Sequence, residues 1–299
     1  IGYASMELNT SGNYNTAIGR ETLDTNATTH NNTAVGYQSG LVTTGADNTY
    51  LGFKAGRGAT GADVSNVGVG ANSLLAITTG TFNVALGENA ATALTTAQKT
   101  VFIGTSAGVA VTTTGGSNEH DGSVGIGFKS LYALTTGQGN TAVGYLSLDA
   151  EDDGDYNTAI GYQALTAQTG TTGETANTAV GYKSGVAITT GTYNTAIGES
   201  SLLSETIGQN TTVVGVDGFG KQLMGGAHVS GNTGVGSGVG YWNVTGRYNT
   251  LMGYHAGLGA DGQSNSYNTA VGYNSLASIT TGGQNSVLGQ NAGDALTTG

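Results

Sequence analysis

A parallel β-solenoid of the β-roll kind is the fold this sequence predicts, and three observations predict it. The first is a repeat: a core of Asn-Thr-Ala-(Val/Ile)-Gly runs through all 299 residues, with its Gly at 2, 19, 36, 52, 70, 87, 104, 127, 144, 161, 181, 198, 215, 236, 253, 272 and 289. Ten of the sixteen intervals between these seventeen copies are 17 residues, too short for a helical hairpin and suited to one coil of short strands and turns. The second is composition: Gly supplies 54 residues and Pro none, and Gly interrupts every β-branched segment within a few positions, which disfavours helices. The third is columnar chemistry, since equivalent positions of successive copies carry the same kind of side chain. Stacked parallel coils about 4.8 Å apart turn such positions into ladders. About seventeen coils would make a rod of roughly 80 Å on that spacing, with residues 1–299 as one repetitive segment of a longer fibre.

Each element of the coil has a reading. Asn opens thirteen of the sixteen complete cores, at Asn15, Asn32, Asn48, Asn66, Asn83, Asn140, Asn157, Asn177, Asn194, Asn232, Asn249, Asn268 and Asn285. A stacked amide donates to one neighbour and accepts from the other, so this column is read as a structural ladder. The residue before the phasing Gly is always Ile, Val, Leu or Met, and is read as the buried column: positions 18, 35, 69, 103, 126, 143, 160, 180, 197, 235 and 271. By strand alternation the preceding Ala or Gly, as at Ala17, Ala34, Gly68, Ala142 and Ala270, then faces outward as a smooth wall for lateral packing. Three residues after the phasing Gly only small side chains occur, apart from Val239, which marks a cramped position. Seven residues after it comes a second apolar column, as in Ile77, Leu94, Val111, Leu134, Ile188, Ile279 and Leu296. The long intervals, Thr112 to Gly122, Thr169 to Ala176, Gly218 to Gly231 and Gly257 to Ser266, are expected to bulge from the coil without breaking it.

Composition limits function. Nineteen acidic and eight basic residues give a net charge of -11, which argues against nucleic acid as a partner. No apolar run is long enough to insert in a membrane. Without cysteine there is neither a disulfide framework nor a thiolate metal site. No cofactor is implied.

Local motifs weigh little against the repeat. Gly104-Thr-Ser-Ala-Gly108 has the spacing of a nucleophile elbow but sits in phase with the coils, where a strand–turn–helix setting is required. Gly215 to Lys221 resembles a phosphate loop, but Gln222 stands where Ser or Thr should hold magnesium. The acidic run Glu151, Asp152, Asp153 and Asp155 is a weak calcium candidate and otherwise a solvated loop. His30, His120, His228 and His255 occur singly. Aromatic residues following the phasing Gly, among them Tyr37, Phe53, Tyr145, Tyr162 and Tyr273, form a broken stripe that could stack on itself or bind sugar rings. Glycosylation sequons begin at Asn9, Asn26, Asn31, Asn210 and Asn243.

The Asn-Thr-Ala-Ile-Gly unit resembles the head repeats of YadA-like trimeric autotransporter adhesins, and its longer form with Tyr and Ala-Leu resembles repeats of phage tail fibres. The resemblance covers essentially the whole chain, although the adhesin repeat is shorter. It implies a left-handed roll assembled as a homotrimer or filament and serving as the shaft or head of an adhesive fibre. The chain is therefore expected to be a non-enzymatic structural protein, extracellular on a cell or virion surface, with surface glycans or a host receptor as further partners. The alternative is a carbohydrate-binding or ice-binding solenoid module.

Overall fold

The computed structural model describes residues 1–58, 61–112, 122–170, 173–224 and 229–299 as an all-β parallel solenoid with no helix among them. It divides into two compact units, 1–153 and 154–299. In the first, the strands Thr16–Ile18, Thr33–Val35, Thr49–Leu51, Val67–Val69, Val84–Leu86, Val101–Ile103, Val124–Ile126 and Thr141–Val143 stack in parallel. In the second, Thr158–Ile160, Thr178–Val180, Thr195–Ile197, Thr212–Val214, Thr233–Val235, Thr250–Met252, Thr269–Val271 and Ser286–Leu288 do the same. There the short strands Gly154–Asp155 and Gly173–Glu174 make a further parallel pair.

Pairing is in register coil on coil: Thr195 lies opposite Thr178 and Thr212, and Ile197 opposite Val180 and Val214. Insertions leave this ladder intact. Val101 still pairs with Val124, Thr158 with Thr178, Thr212 with Thr233 and Thr250 with Thr269 across the four long intervals. Of the expected bulges, parts of the first three lie outside the described residues, as do His120 and His228.

Each strand of the main ladder is three residues long, and the phasing Gly fixes where it ends. The phasing Gly that follows it takes a φ no side chain tolerates well, as at Gly36 (+135°), and a Cβ there would run into the carbonyl of Gly52 in the next coil. Backbone glycine therefore stacks on backbone glycine. Among the described residues the coil beyond it turns where the sequence suggests a second strand, and only Gly154–Asp155 and Gly173–Glu174 form one. Residues two and four places after the phasing Gly adopt left-handed conformations, such as Asn72 (φ 57°) and Leu74 (φ 50°), and turn the chain while still pairing with the next coil, as in Leu23 N–H to Ser39 O at 3.2 Å. A left-handed Leu costs about 1–2 kcal/mol, whereas burying its side chain contributes about 1.5–3 kcal/mol, so burial wins at Leu23, Leu74, Leu131 and Leu165.

Side-chain direction on the strand is the reverse of the sequence expectation. The central residue points inward: Ala34, Ala85, Ala142, Ala159 and Ala179 are fully buried. The Val/Ile residue after it points outward, with Ile18 at 44%, Ile160 at 39% and Ile197 at 37% exposure. The strand alternates as expected, with the opposite polarity. The interior of a 17-residue coil is too narrow for a large residue from the strand as well as Leu from the turn and the column seven places after the Gly. That last column is buried at Ile77, Leu94, Val111, Leu134, Ile188 and Ile279, while Leu296 in the last coil is partly exposed. The small residues three places after the Gly are also buried, and Ser73, Ser147 and Ser275 donate to the carbonyls of Gly70, Gly144 and Gly272.

Volume inside the coil is traded between two positions six residues apart. In seven coils a small strand centre is followed by Leu, as in Gly68 with Leu74, Ala142 with Leu148 and Ala159 with Leu165, whereas Ala34, Ala179 and Gly234 are followed by Gly and Ala85 by Ala. Where the centre is Tyr, Phe or Leu the later residue is Gly, as in Tyr50 with Gly56, Phe102 with Gly108 and Leu251 with Gly257, while the smaller Val213 is followed by buried Phe219. A Cβ on Gly108 would lie 2.5 Å from Cδ1 of the Phe102 ring. Packing at crystal-like density leaves no room for both.

Candidate functional site

The most regular polar feature is the Asn column that starts each strand. The side-chain oxygen of one Asn accepts the backbone N–H of its counterpart in the next coil: Asn32 N–H to Asn15 (2.8 Å), Asn66 to Asn48 (2.9 Å), Asn194 to Asn177 (2.9 Å) and Asn249 to Asn232 (2.9 Å). The amide nitrogen closes the facing turn, as from Asn66 to Gly80 O (2.9 Å) and from Asn194 to Gly208 O (2.8 Å). Where Asn is replaced, hydroxyl residues serve, with Thr100 Oγ1 donating to Asn83 Oδ1 at 2.8 Å. Both functions of the amide are consumed inside the protein, which leaves nothing there for a ligand.

The slot seven residues after the phasing Gly also holds buried polar groups, which the sequence analysis missed. Glu205 is fully buried; its carboxylate accepts the N–H groups of Thr206 (2.9 Å), Ile207 (3.2 Å) and Gly208 (2.7 Å) and the amide of Gln222 (2.8 Å). Gln222 in turn accepts from Asn232 at 3.0 Å. Their spacing from Gly198 and Gly215 was the available signal, since Ile188 and Leu134 occupy the same slot elsewhere.

Glu151 occupies that slot too. It is fully buried, not part of a solvated loop, and its Oε1 accepts the N–H groups of Asp152 (3.0 Å) and Asp153 (3.2 Å), the turn-capping pattern of Glu205. Glu151, Asp152 and Asp153 each place one carboxylate oxygen within 4.8 Å of the others, which among the described residues is the acidic or histidine cluster close enough to hold a cation. Asp155 is not among them and lies in the strand Gly154–Asp155. The same turn is built around Glu205 without such a cluster, so the geometry of Glu151 is explained by its backbone contacts.

A third buried acid is Asp63, whose carboxylate accepts the Tyr50 hydroxyl at 2.6 Å. Burial pushes its pKa up from 3.8 to about 6, only partly offset by hydrogen bonds from Tyr50 and from the backbone of Gly45 and Thr44. The native state thus holds this proton more tightly than the unfolded chain. The stabilisation is complete below pH 3.8, declines as pH rises to about 6 and is absent above, a span of about 3 kcal/mol. We expect Asp63→Asn, which keeps an acceptor for Tyr50, to remove this component: urea midpoints of the wild type and variant should diverge between pH 4 and 7, with the variant relatively more stable at pH 7. Parallel pH profiles would contradict the assignment.

The remaining motifs fall into repeat positions. Ser106 is a left-handed turn residue (φ 59°) in the slot that Lys54 and Asn72 occupy in their coils. Lys221 lies over the Tyr241 ring at 6.0 Å. His30 Nδ1 accepts the N–H of Asn13 at 2.9 Å, and His255 stacks on Tyr254. Among the sequons, Asn26 and Asn243 are buried and closed to modification in the folded chain.

The aromatic stripe is exposed and self-stacked: Tyr37 on Phe53, Phe128 on Tyr145, Tyr162 on Tyr182 and Tyr254 on Tyr273, with centroids 5.4–5.5 Å apart. Rings stacked along the ladder cover one another's faces, the surfaces on which a sugar ring would pack. Thr–Thr pairs at the turns are likewise occupied: Thr78 donates to Thr95 O (3.0 Å), Thr189 to Thr206 O (3.0 Å) and Thr280 to Thr297 O (2.9 Å). The open surface is the outer side of the sheet, where a Thr or Val row and the Ile/Val row run side by side.

The class this defines is a parallel β-solenoid repeat protein whose polar groups are spent on stacking. No family model matches the chain, and neither the curated proteins nor the solved structures contain a significant match to it. Among the described residues no helix is long and apolar enough to cross a membrane.

Proposed function

We propose that the chain is a structural and adhesive element of an extracellular fibre, the shaft or head of a surface adhesin or tail fibre, built from several copies and displayed on a cell or virion. It catalyses no reaction in this reading. The supporting observation is the uniformity of the coil. The residues with chemistry to offer, from the Asn column to Glu205 and the turn threonines, bond to the neighbouring coil or to their own turn. Such a repeat supplies length and stiffness at low sequence cost. Specific adhesion to a glycan or receptor would then come from the variable turns or from segments joined to the solenoid.

The test is location. Gold-labelled antibody raised against the 299-residue chain should decorate projecting fibres on intact cells or particles of the source. Label confined to the interior, seen only after permeabilisation, would contradict the reading.

A further inference from the structure

Tyrosines stand ring on ring in neighbouring coils of the unit 154–299. Tyr162 stacks on Tyr182 with centroids 5.5 Å apart and planes 20° from parallel, Tyr248 on Tyr267 at 5.3 Å and 25°, and Tyr254 on Tyr273 at 5.5 Å and 9°. These six side chains are 44–58% exposed, so solvent reaches every ring. In-register strands hold the partners one coil apart, with Thr158 opposite Thr178 and Thr250 opposite Thr269. Each pair bridges a junction that contains one of the long intervals, 169–176 for the first and 257–266 for the other two. At the second junction the pairs flank the strands Thr250–Met252 and Thr269–Val271, one before the Asn column and one after the phasing Gly. Tyr14 and Tyr193 are exposed too, but Tyr14 has Asn31 at the matching position of the next coil and Tyr193 lies between Ala176 and Asn210.

We propose that these pairs are sites of oxidative modification, at which a one-electron oxidant of the peroxidase and hydrogen peroxide class joins the stacked rings as dityrosine and staples neighbouring coils of one chain. The inference does not depend on the fibre reading. Each phenol gives up one electron and its hydroxyl proton, and the two phenoxyl radicals pair their electrons in a single carbon–carbon bond between the ring carbons beside the oxygens, Cε of one ring and Cε of the other. The hydrogen on each of those carbons then leaves as a proton while a proton returns to each oxygen, which restores both phenols. The pair has lost two electrons and two protons, and these reduce one peroxide to two waters. Coupling competes with loss of the radical elsewhere, and the ladder favours coupling because two rings held in contact react within one molecule instead of waiting for two scarce radicals to collide. Bond formation asks the rings to slide edge to edge, a rotation that exposed side chains complete in picoseconds to nanoseconds. The product closes a covalent loop across each long interval and so restricts the unfolded chain.

The experiment treats the full 299-residue chain with a haem peroxidase and hydrogen peroxide, then reads dityrosine fluorescence and, after digestion at apolar residues, peptide masses. We expect cross-linked peptides that join position 162 to 182, 248 to 267 and 254 to 273, each lighter by two hydrogens than its parts. In an equal mixture of isotopically light and heavy chains these peptides should be all light or all heavy, as a bond within one chain requires. Tyr267→Phe plus Tyr273→Phe keeps the stacked rings and should abolish the second and third products, leaving the 162–182 peptide as an internal reference. After the same treatment the wild type should unfold at a higher urea concentration than this variant, whereas the untreated proteins should unfold alike. Tyr193→Phe should leave all three products in place. Oxidant consumed without dityrosine would overturn the proposal. So would cross-linked peptides of mixed light and heavy origin, or cross-links that take up Tyr14 and Tyr193 as often as the stacked residues.

Discussion

Phe102→Ala and Gly108→Leu should each destabilise the chain strongly, and together should restore most of the loss. Phe102 is fully buried, and truncating it to Ala removes a large core side chain at a cost of about 3–5 kcal/mol. Gly108 has φ 59° and its missing Cβ lies against the Phe102 ring, so Leu there combines overpacking with left-handed strain, about 3 kcal/mol or more. The double variant rewrites the coil as the natural Ala142 and Leu148 or Ala159 and Leu165 arrangement. It should retain only the left-handed cost of Leu, about 1–2 kcal/mol. A double-mutant cycle by denaturant unfolding should therefore show a favourable coupling of about 4–7 kcal/mol. Additive losses would mean that the two residues do not share one space.

The second large effect is expected at the Asn column. Asn194 accepts the Thr211 N–H at 3.0 Å, donates to Gly208 O at 2.8 Å and donates its own backbone N–H to Asn177 at 2.9 Å. Asn194→Ala leaves a buried donor and a buried acceptor without partners, a loss of about 2–4 kcal/mol. Asn194→Ser should lose roughly half as much, because a hydroxyl can still accept from the next coil, as Ser123 Oγ accepts the Asn140 N–H at 3.3 Å. Since coils couple mainly to their neighbours, hydrogen exchange should speed up first around Thr211 and Gly208 and far less in the unit 1–153. Uniform loss of protection along the chain would contradict nearest-neighbour stacking.

Much of the fold was legible because repetition does the work of an alignment. The period, the phasing Gly, the Asn column and the apolar column at Ile77, Leu94 and Ile188 can be read directly, and the structure places each in a constant position in the coil. The polarity of the strand was not legible from hydrophobicity. In a three-residue strand one side chain points in and two point out, and ranking Ile197 above Ala196 by apolarity picks the wrong one when the interior is limited by volume. The deciding signal was present as a correlation: only residues that share a confined space trade size, as Phe102 with Gly108 and Ala159 with Leu165 do. Glu151 and Glu205 were obscured for a related reason. An acidic residue suggests solvent, but a coil whose turn N–H groups point inward makes a buried carboxylate their acceptor.

Strand polarity underlies the packing, and cysteine accessibility measures it directly because the chain has no cysteine of its own. Ala196→Cys and Ile197→Cys should be made singly and treated with a thiol reagent across a dilution series, under native conditions and in denaturant. Cys introduced at Ala196 should stay unreactive at every dilution until the chain unfolds, while Cys introduced at Ile197 should react rapidly in dilute chain. The reverse ranking, with position 196 reactive and position 197 protected at all dilutions, would put the aliphatic column inside and contradict the account.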